Sequence, residues 1–221
     1  MVAKELVSNT VMPLFFTDSI KQAMGIMSFY HLRQLPVVDK QKFIGIVDEE
    51  DLLNFNQEDL IESLVDSAAV RKIATQEDQH LYEVMQLLVS QKISMIPVID
   101  AQEKYLGIIT REDILQYFTE FSSIAEPGCI LVLTVKKRDY SLSEIARIVE
   151  SENGSILSTN IHNLLDTELI EVTIKINKQE INRIVSTFIR YNYTIKASYS
   201  ENDYHHLLQE RFDHLMNYLN V

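Results

Sequence analysis

The chain has 221 residues, 46% of them hydrophobic and 24% charged, with a net charge of −12. That size and composition suit one to three folded domains and exclude a disordered chain, and the acidic balance disfavours nonspecific binding to nucleic acid. The single cysteine, Cys129, excludes an intramolecular disulfide or a cysteine-held metal, and no apolar run approaches the roughly 20 residues that cross a bilayer.

The charge is uneven. Residues 1–125 carry 10 basic and 19 acidic side chains, and residues 126–221 carry 10 and 13. A bound anion must therefore be held by a local set of donors and not by net charge. The opening stretch MVAKELVSNT lacks the apolar core of a signal peptide, so a cytoplasmic protein is expected, with neither membrane nor nucleic acid as partner.

In chain order, Ile20, Ala23, Met24 and Met27 recur at helical spacing. LPVVD (35–39) reads as a short strand and KFIGIV (42–47) as a second, with a polar turn between them, and a helix opens at Asp48. The series then returns: Leu81, Val84, Met85 and Leu88 share a helical face, IPVID (96–100) and YLGIIT (105–110) follow as strands, and a helix opens at Thr110. Pro36 matches Pro97 at an offset of 61, while Gly45 matches Gly107 and Asp51 matches Asp113 at 62. The extra residue falls in the polar turn, where insertions cost least. A period this long, occurring twice, predicts two copies of one small domain, residues 1–65 and 66–122. Neither has enough sheet to bury its own face, so the two should pack as a pseudo-twofold pair.

SIAEP (123–127) reads as a boundary, with Pro127-Gly128 as punctuation. Beyond it, CILVLTVK (129–136) is a strand, SLSEIARIVESEN (141–153) an amphipathic helix ended by Gly154, and residues 155–162 and 168–176 alternate as paired strands. Residues 180–192 form a second helix and 194–200 a last strand. This β-α-β-β-α-β order over 128–200 is ferredoxin-like. In the tail, 201–221, Leu207, Phe212, Leu215 and Leu219 share one helical face, which predicts a final docking helix. The fold class is α+β.

The two helix starts carry the chemistry. Thr110-x-x-Asp113 has the form of a capping box, and so has Asp48-x-x-Asp51. The same geometry suits a nucleotide. Free N–H groups and the positive end of the helix dipole favour a phosphate, the Thr110 hydroxyl can donate to it, and Arg111 adds charge. Asp113 can accept from vicinal ribose hydroxyls. In the first copy Asp48 cannot donate while ionised, and two unit charges about 4 Å apart repel by about 4 kcal/mol at an intermediate dielectric. A phosphate is therefore expected only in the second copy. The first retains the ribose-type Asp51 and could accept an uncharged ligand or nothing.

Apolar-Pro-Val-apolar-Asp, a turn, then apolar-Gly-apolar-apolar-(Ser/Thr)-x-x-Asp-apolar resembles the cystathionine-beta-synthase (CBS) domain, which occurs in tandem pairs called Bateman modules. The resemblance covers over half the chain and implies a regulatory module. It implies that Thr110 and Asp113 contact phosphate and ribose, and that Ala74, Met95, Ile96 and Pro97 hold the adenine, with Leu35 and Pro36 in a weaker first site. The implied ligands are AMP, ADP, ATP or S-adenosylmethionine. The third part is similar to an ACT domain, the amino-acid-sensing fold of metabolic regulators, and the whole architecture resembles the acetoin-utilisation protein AcuB family. A homodimer through the CBS or ACT-like parts is implied, with a further protein partner open.

In the loop KKRDYSLSEI (136–145) Asp139 could hold an α-amino group, but no glycine lets the backbone approach an amino acid closely. His205, His206 and His214 fit no compact metal set, and Cys129 reads as core. No Walker loop, GxSxG elbow, HExxH or dinucleotide fingerprint occurs, so neither enzyme chemistry nor a catalytic cofactor is expected. Two rivals remain to the adenosine sensor: a ligand-free oligomerisation scaffold and an amino-acid sensor acting through the ACT-like part.

Overall fold

The computed structural model describes residues 1–121, 123 and 125–200. The expected tail helix and the three tail histidines lie outside the described residues. The chain forms two compact units, Met1–Phe118 and Thr119 onward.

The first unit holds both repeats. Helix α1 (Ile20–Tyr30) starts at Ser19, whose hydroxyl accepts from the Gln22 backbone while the Gln22 side chain accepts from Ser19 N. It buries Ile20, Ala23 and Met27 and ends where His31 turns left-handed at φ 55°. Strands β1 (Gln34–Asp39) and β2 (Lys42–Asp48) form a hairpin whose turn residues, Lys40 and Gln41, both have positive φ. Helix α2 (Glu49–Leu52) is one turn long, and β3 (Val70–Arg71) and β4 (Thr75–Gln76) follow. Then α3 (Leu81–Ser90), β5 (Met95–Ile99), β6 (Tyr105–Thr110) and α4 (Arg111–Phe121) repeat the pattern. In the second hairpin the extra turn residue is absorbed around Asp100, whose Oδ1 accepts from Gln102 N and Lys104 N, both at 2.9 Å.

The sequence pattern did not reveal how the two copies are joined. Before each hairpin the chain crosses to the other repeat and back. Ser8 pairs antiparallel with Ile108 of the second sheet, and Leu14 then pairs parallel with Val37 of the first. Likewise β3 pairs with β2 in the first sheet, and β4 then pairs parallel with β5 in the second. Each three-stranded sheet, β1-β2-β3 or β4-β5-β6, thus contains a strand from the segment joining the repeats and is bridged by the N-terminal segment.

This crossing explains the repeated glycine. A Cβ on Gly45 would lie 2.5 Å from Val70 Cγ1 and 2.9 Å from the Arg71 carbonyl oxygen; on Gly107 it would lie 2.5 Å from Val7 Cγ1 and 2.7 Å from the Ser8 carbonyl oxygen. Gly107 also has φ +146°, which a side chain would strain. The strand proline is explained as well. The Pro36 carbonyl accepts from Leu14 N at 2.7 Å. Its nitrogen faces the same side, where the parallel pairing is only beginning, so little is lost for want of an N–H. One apolar cluster runs through both repeats, including Leu35, Ile46 and Leu52 with Leu81, Met95 and Ile108.

The second unit is an antiparallel four-stranded sheet in the order β10-β7-β9-β8, the ferredoxin-like arrangement. It is built from β7 (Cys129–Lys136), α5 (Leu142–Ser151), β8 (Ile156–Asn163), β9 (Leu169–Ile176), α6 (Asn182–Arg190) and β10 (Thr194–Tyr199). Alternate residues of β7, from Cys129 to Val135, are buried with Ile145, Ile148 and Val149 of α5 and Ile184 and Phe188 of α6. Cys129 is core as expected, and burial pushes its thiol pKa up. The left-handed residue after α5 is Asn153, at φ 55°, and not Gly154. Gly154 is small for another reason: a Cβ there would lie 2.9 Å from Val149 Cγ1.

Candidate functional site

In the second repeat the register sets Met95 opposite Thr110, so the start of β5 and the start of α4 are neighbours. Thr75 pairs parallel with Val98, which brings Ala74 to the same end of the sheet. Three separate stretches of the sequence therefore converge: 73–75, 95–97 and 110–113. Thr110 and Asp113 are half-buried, Ala74 is half-buried, and Met95, Ile96 and Pro97 are buried in β5. What the last three can offer a ligand at this end of the sheet is chiefly backbone.

Thr110 and Asp113 form a reciprocal cap. Asp113 Oδ2 accepts from Thr110 N and from Thr110 Oγ1, both at 2.7 Å, and Thr110 Oγ1 accepts from Asp113 N at 3.1 Å. The hydroxyl proton is thus engaged, and a phosphate that takes it must displace the Asp113 oxygen. The Thr110 N–H bond to the same carboxylate can persist, so the helix start is not undone. Arg111 is exposed. Its backbone N donates to the Ser94 carbonyl at 3.2 Å and its Nε to the Ile93 carbonyl at 3.1 Å, which fixes the root of the guanidinium beside the start of β5.

The first repeat uses the same frame differently. Gln34 stands opposite Asp48 as Met95 stands opposite Thr110. Asp48 caps α2 by accepting from Glu50 N at 3.1 Å, and no reciprocal box with Asp51 forms, contrary to the spacing. Its other oxygen accepts from Gln34 Nε2 at 2.6 Å and Arg71 NH2 at 3.3 Å. The carboxylate is therefore held by partners that include an arginine, a fact the Asp48 repulsion argument lacked. Arg71 comes from the crossing strand, so no local motif reveals it. Asp51 is half-buried on the single turn of α2, and Leu35 and Pro36 are buried in β1.

In the second unit, Asp139 ends a short 3-10 turn (Lys137–Asp139) and pairs with Arg138 Nε at 3.5 Å. It lines an open groove of about 530 Å³ together with Thr134, Lys136, Glu144, Tyr191 and Tyr193. Tyr193 donates its hydroxyl to Glu144 Oε2 at 2.8 Å, and burial, followed by that carboxylate, raises the phenol pKa. Glu144 and Tyr193 were missed from sequence because they lie on opposite sides of the domain's connectivity. Among the described residues no group of three His, Cys, Asp or Glu is placed to hold a metal, and no helix is long and apolar enough to cross a membrane.

The CBS domain family model matches residues 3–58 and 69–120. The inosine-5'-monophosphate dehydrogenase of Methanocaldococcus jannaschii is 29% identical over 115 residues, which is 52% of this chain and 23% of that enzyme. The corresponding enzyme of Aquifex aeolicus is 31% identical over 99 residues, 44% of this chain and 20% of that one. The chain thus spans less than a quarter of either relative. Among solved structures, a CBS domain pair/ACT domain protein from Thermotoga maritima aligns with TM-score 0.48 and 20% identity, covering 54% of this chain and 98% of that one. A protein assigned to acetoin utilization (AcuB) from Vibrio cholerae gives 0.46 and 23%, over 54% and 91%. A third, CBSX2 in complex with AMP, gives 0.45 and 19%, over 54% and 96%.

Proposed function

Because this chain carries a tandem pair of CBS domains, we propose that it is a non-catalytic regulator that senses an adenosine ligand in the cleft of its second repeat. Domains of this family are regulatory modules that take adenosine ligands, AMP in the CBSX2 structure among them. The observation that carries the reading is the contrast between the helix starts. Thr110 and Asp113 set a hydroxyl and a carboxylate at the N-terminus of an eleven-residue helix, while Asp48 is already bound by Gln34 and Arg71. A phosphate takes the Thr110 hydroxyl and the helix dipole, with Arg111 adding charge, and the ribose hydroxyls donate to Asp113. The adenine lies against Ala74 and the backbone of Met95, Ile96 and Pro97. A ligand bridging these elements favours one packing of the repeats, and shifts it only by its difference in affinity between states. The chain acts in the cytoplasm as a homodimer. Exposed Phe29 on α1 and Tyr82 and Val89 on α3 supply apolar surface for that contact.

Calorimetric titration of AMP, ATP and S-adenosylmethionine into wild type, Thr110→Ala and Asp113→Ala tests this. Micromolar binding that either substitution removes is the expected result. Absence of binding to wild type would leave Thr110 and Asp113 as a helix cap and the chain as a ligand-free scaffold.

The groove in the second unit favours one further reading, a sensor of a small amino acid whose ammonium faces Asp139 and Glu144 and whose carboxylate faces Lys136. Against it, Arg138 and Tyr193 already engage those acids. The same calorimetry with an amino-acid panel and Asp139→Asn separates the two sensors.

A further inference from the structure

Gln34 is one of three buried polar side chains among the described residues, with 4% exposure. It sits at the start of β1, yet its amide has partners in both repeats. Nε2 donates to Asp48 Oδ2 at 2.6 Å, and Oε1 accepts from Ser94 N at 3.0 Å and Ser94 Oγ at 2.8 Å. The orientation of the amide is dictated by its neighbours: an ionised carboxylate only accepts, and a backbone N–H only donates.

The bonds continue outward on each side. Asp48 Oδ1 accepts from Glu50 N, which places that end at the start of α2. The Ser94 carbonyl accepts from Arg111 N at 3.2 Å, which places the other end at the start of α4, beside Thr110. One buried amide therefore links the two helix starts, which the sequence separates by about sixty residues. The link is one-sided, because the residue at the matching register position of the second repeat is the apolar Met95. A buried amide that satisfies both ends is costly to disturb, since either helix start that shifts leaves an amide atom unpaired.

We propose that Gln34 is a positioning residue that couples the start of α2 to the start of α4, so that a change at the second cleft is felt in the first repeat. The coupling itself does not depend on the ligand; only its use in sensing rests on the adenosine reading.

The test uses the full chain and Gln34→Glu, Asp48→Asn and the double variant. Gln34→Glu sets two carboxylates in hydrogen-bonding contact. Asp48→Asn added to it restores a donor–acceptor pair with the donor on the other side but gives up the bond that Asp48 Oδ2 accepts from Arg71 NH2, and Asp48→Asn alone measures that loss. Amide exchange at Glu50 is read by NMR. Without ligand, it is expected to quicken about tenfold or more in Gln34→Glu and to return in the double variant to the rate of Asp48→Asn alone. A residue present only for packing would show no such rescue, and absence of rescue overturns the proposal. With saturating AMP, exchange at Glu50 slows in wild type and in the double variant but not in Gln34→Glu; bound AMP with unchanged Glu50 exchange in wild type also overturns it. If AMP fails to bind wild type, the sensor reading falls, while the ligand-free rescue still decides whether Gln34 holds the start of α2.

Discussion

The two repeats share a backbone frame and spend their polar groups in different ways. At the second helix start a threonine and an aspartate bind each other, one turn apart, and open an eleven-residue helix. At the first, a carboxylate in place of the hydroxyl turns inward to Gln34 and Arg71, and the helix it caps is four residues long. A single exchange of hydroxyl for carboxylate thus goes with a change of partner, from a residue of the same turn to residues in other elements. The local pair stays within one turn. The long-range set cannot be displaced without disturbing the contact between the repeats.

The largest effect that could break this comparison lies at the crossing strands. Gly107→Ala puts a Cβ against Val7 and Ser8 at a positive φ and should cost about 3 kcal/mol or more, whereas Gly45→Ala meets the equivalent contact with no positive φ to strain and should cost about 1–3 kcal/mol. Urea unfolding of both measures it. Equal costs would mean that the crossing is not equally tight in the two halves, with a looser fit at Gly107 offsetting its strained backbone.

A smaller effect separates the aspartates. Asp113→Ala removes a reciprocal cap and should destabilise by about 1 kcal/mol. Asp51→Ala removes no cap and should stay within about 0.5 kcal/mol. A clear loss for Asp51→Ala in the same unfolding assay would show that the first box is reciprocal after all.

The smallest effect belongs to the hairpin turns, where the Lys42 amine of the first repeat lies 3.1 Å from the Glu103 carboxylate of the second. A hydrogen bond from Lys42 and its charge hold the Glu103 pKa below 4.5. Because the folded value is the lower one, this contribution is present above about pH 4.5 and is lost as pH falls through the folded value. The pair is exposed, so Glu103→Gln should change stability slightly at pH 7 and low salt and leave it unchanged in 1 M salt or well below the folded pKa. A Glu103→Gln effect that persists in high salt would point to packing and not to charge.

Much of this was legible in the sequence. The apolar periods of 20–27 and 81–88 marked α1 and α3, the two proline strands marked β1 and β5, and the alternation of 129–136 marked β7, because period and turn chemistry act within one element. Thr110 and Asp113 were legible as a pair for the same reason: a cap is made by residues three apart. The exchange of strands between repeats was not legible. Val70, Arg71 and Ser8 carry no pattern of their own, and only the absence of a side chain on Gly45 and Gly107 hinted that something passes close by.

The sequence by itself therefore determined the repeat, the helix and hairpin of each copy, the order of elements in the second unit and the Thr110–Asp113 cap, since each is written in the pattern of the chain itself. Only the tertiary structure decided that Asp48 is bound by Gln34 and Arg71, that Ser94 is joined to it through one buried amide, and that Asp139 and Glu144 share a groove. Those partners come from different strands and helices. The pairing register and the path of the crossing strands bring them together, and neither leaves a trace in local spacing.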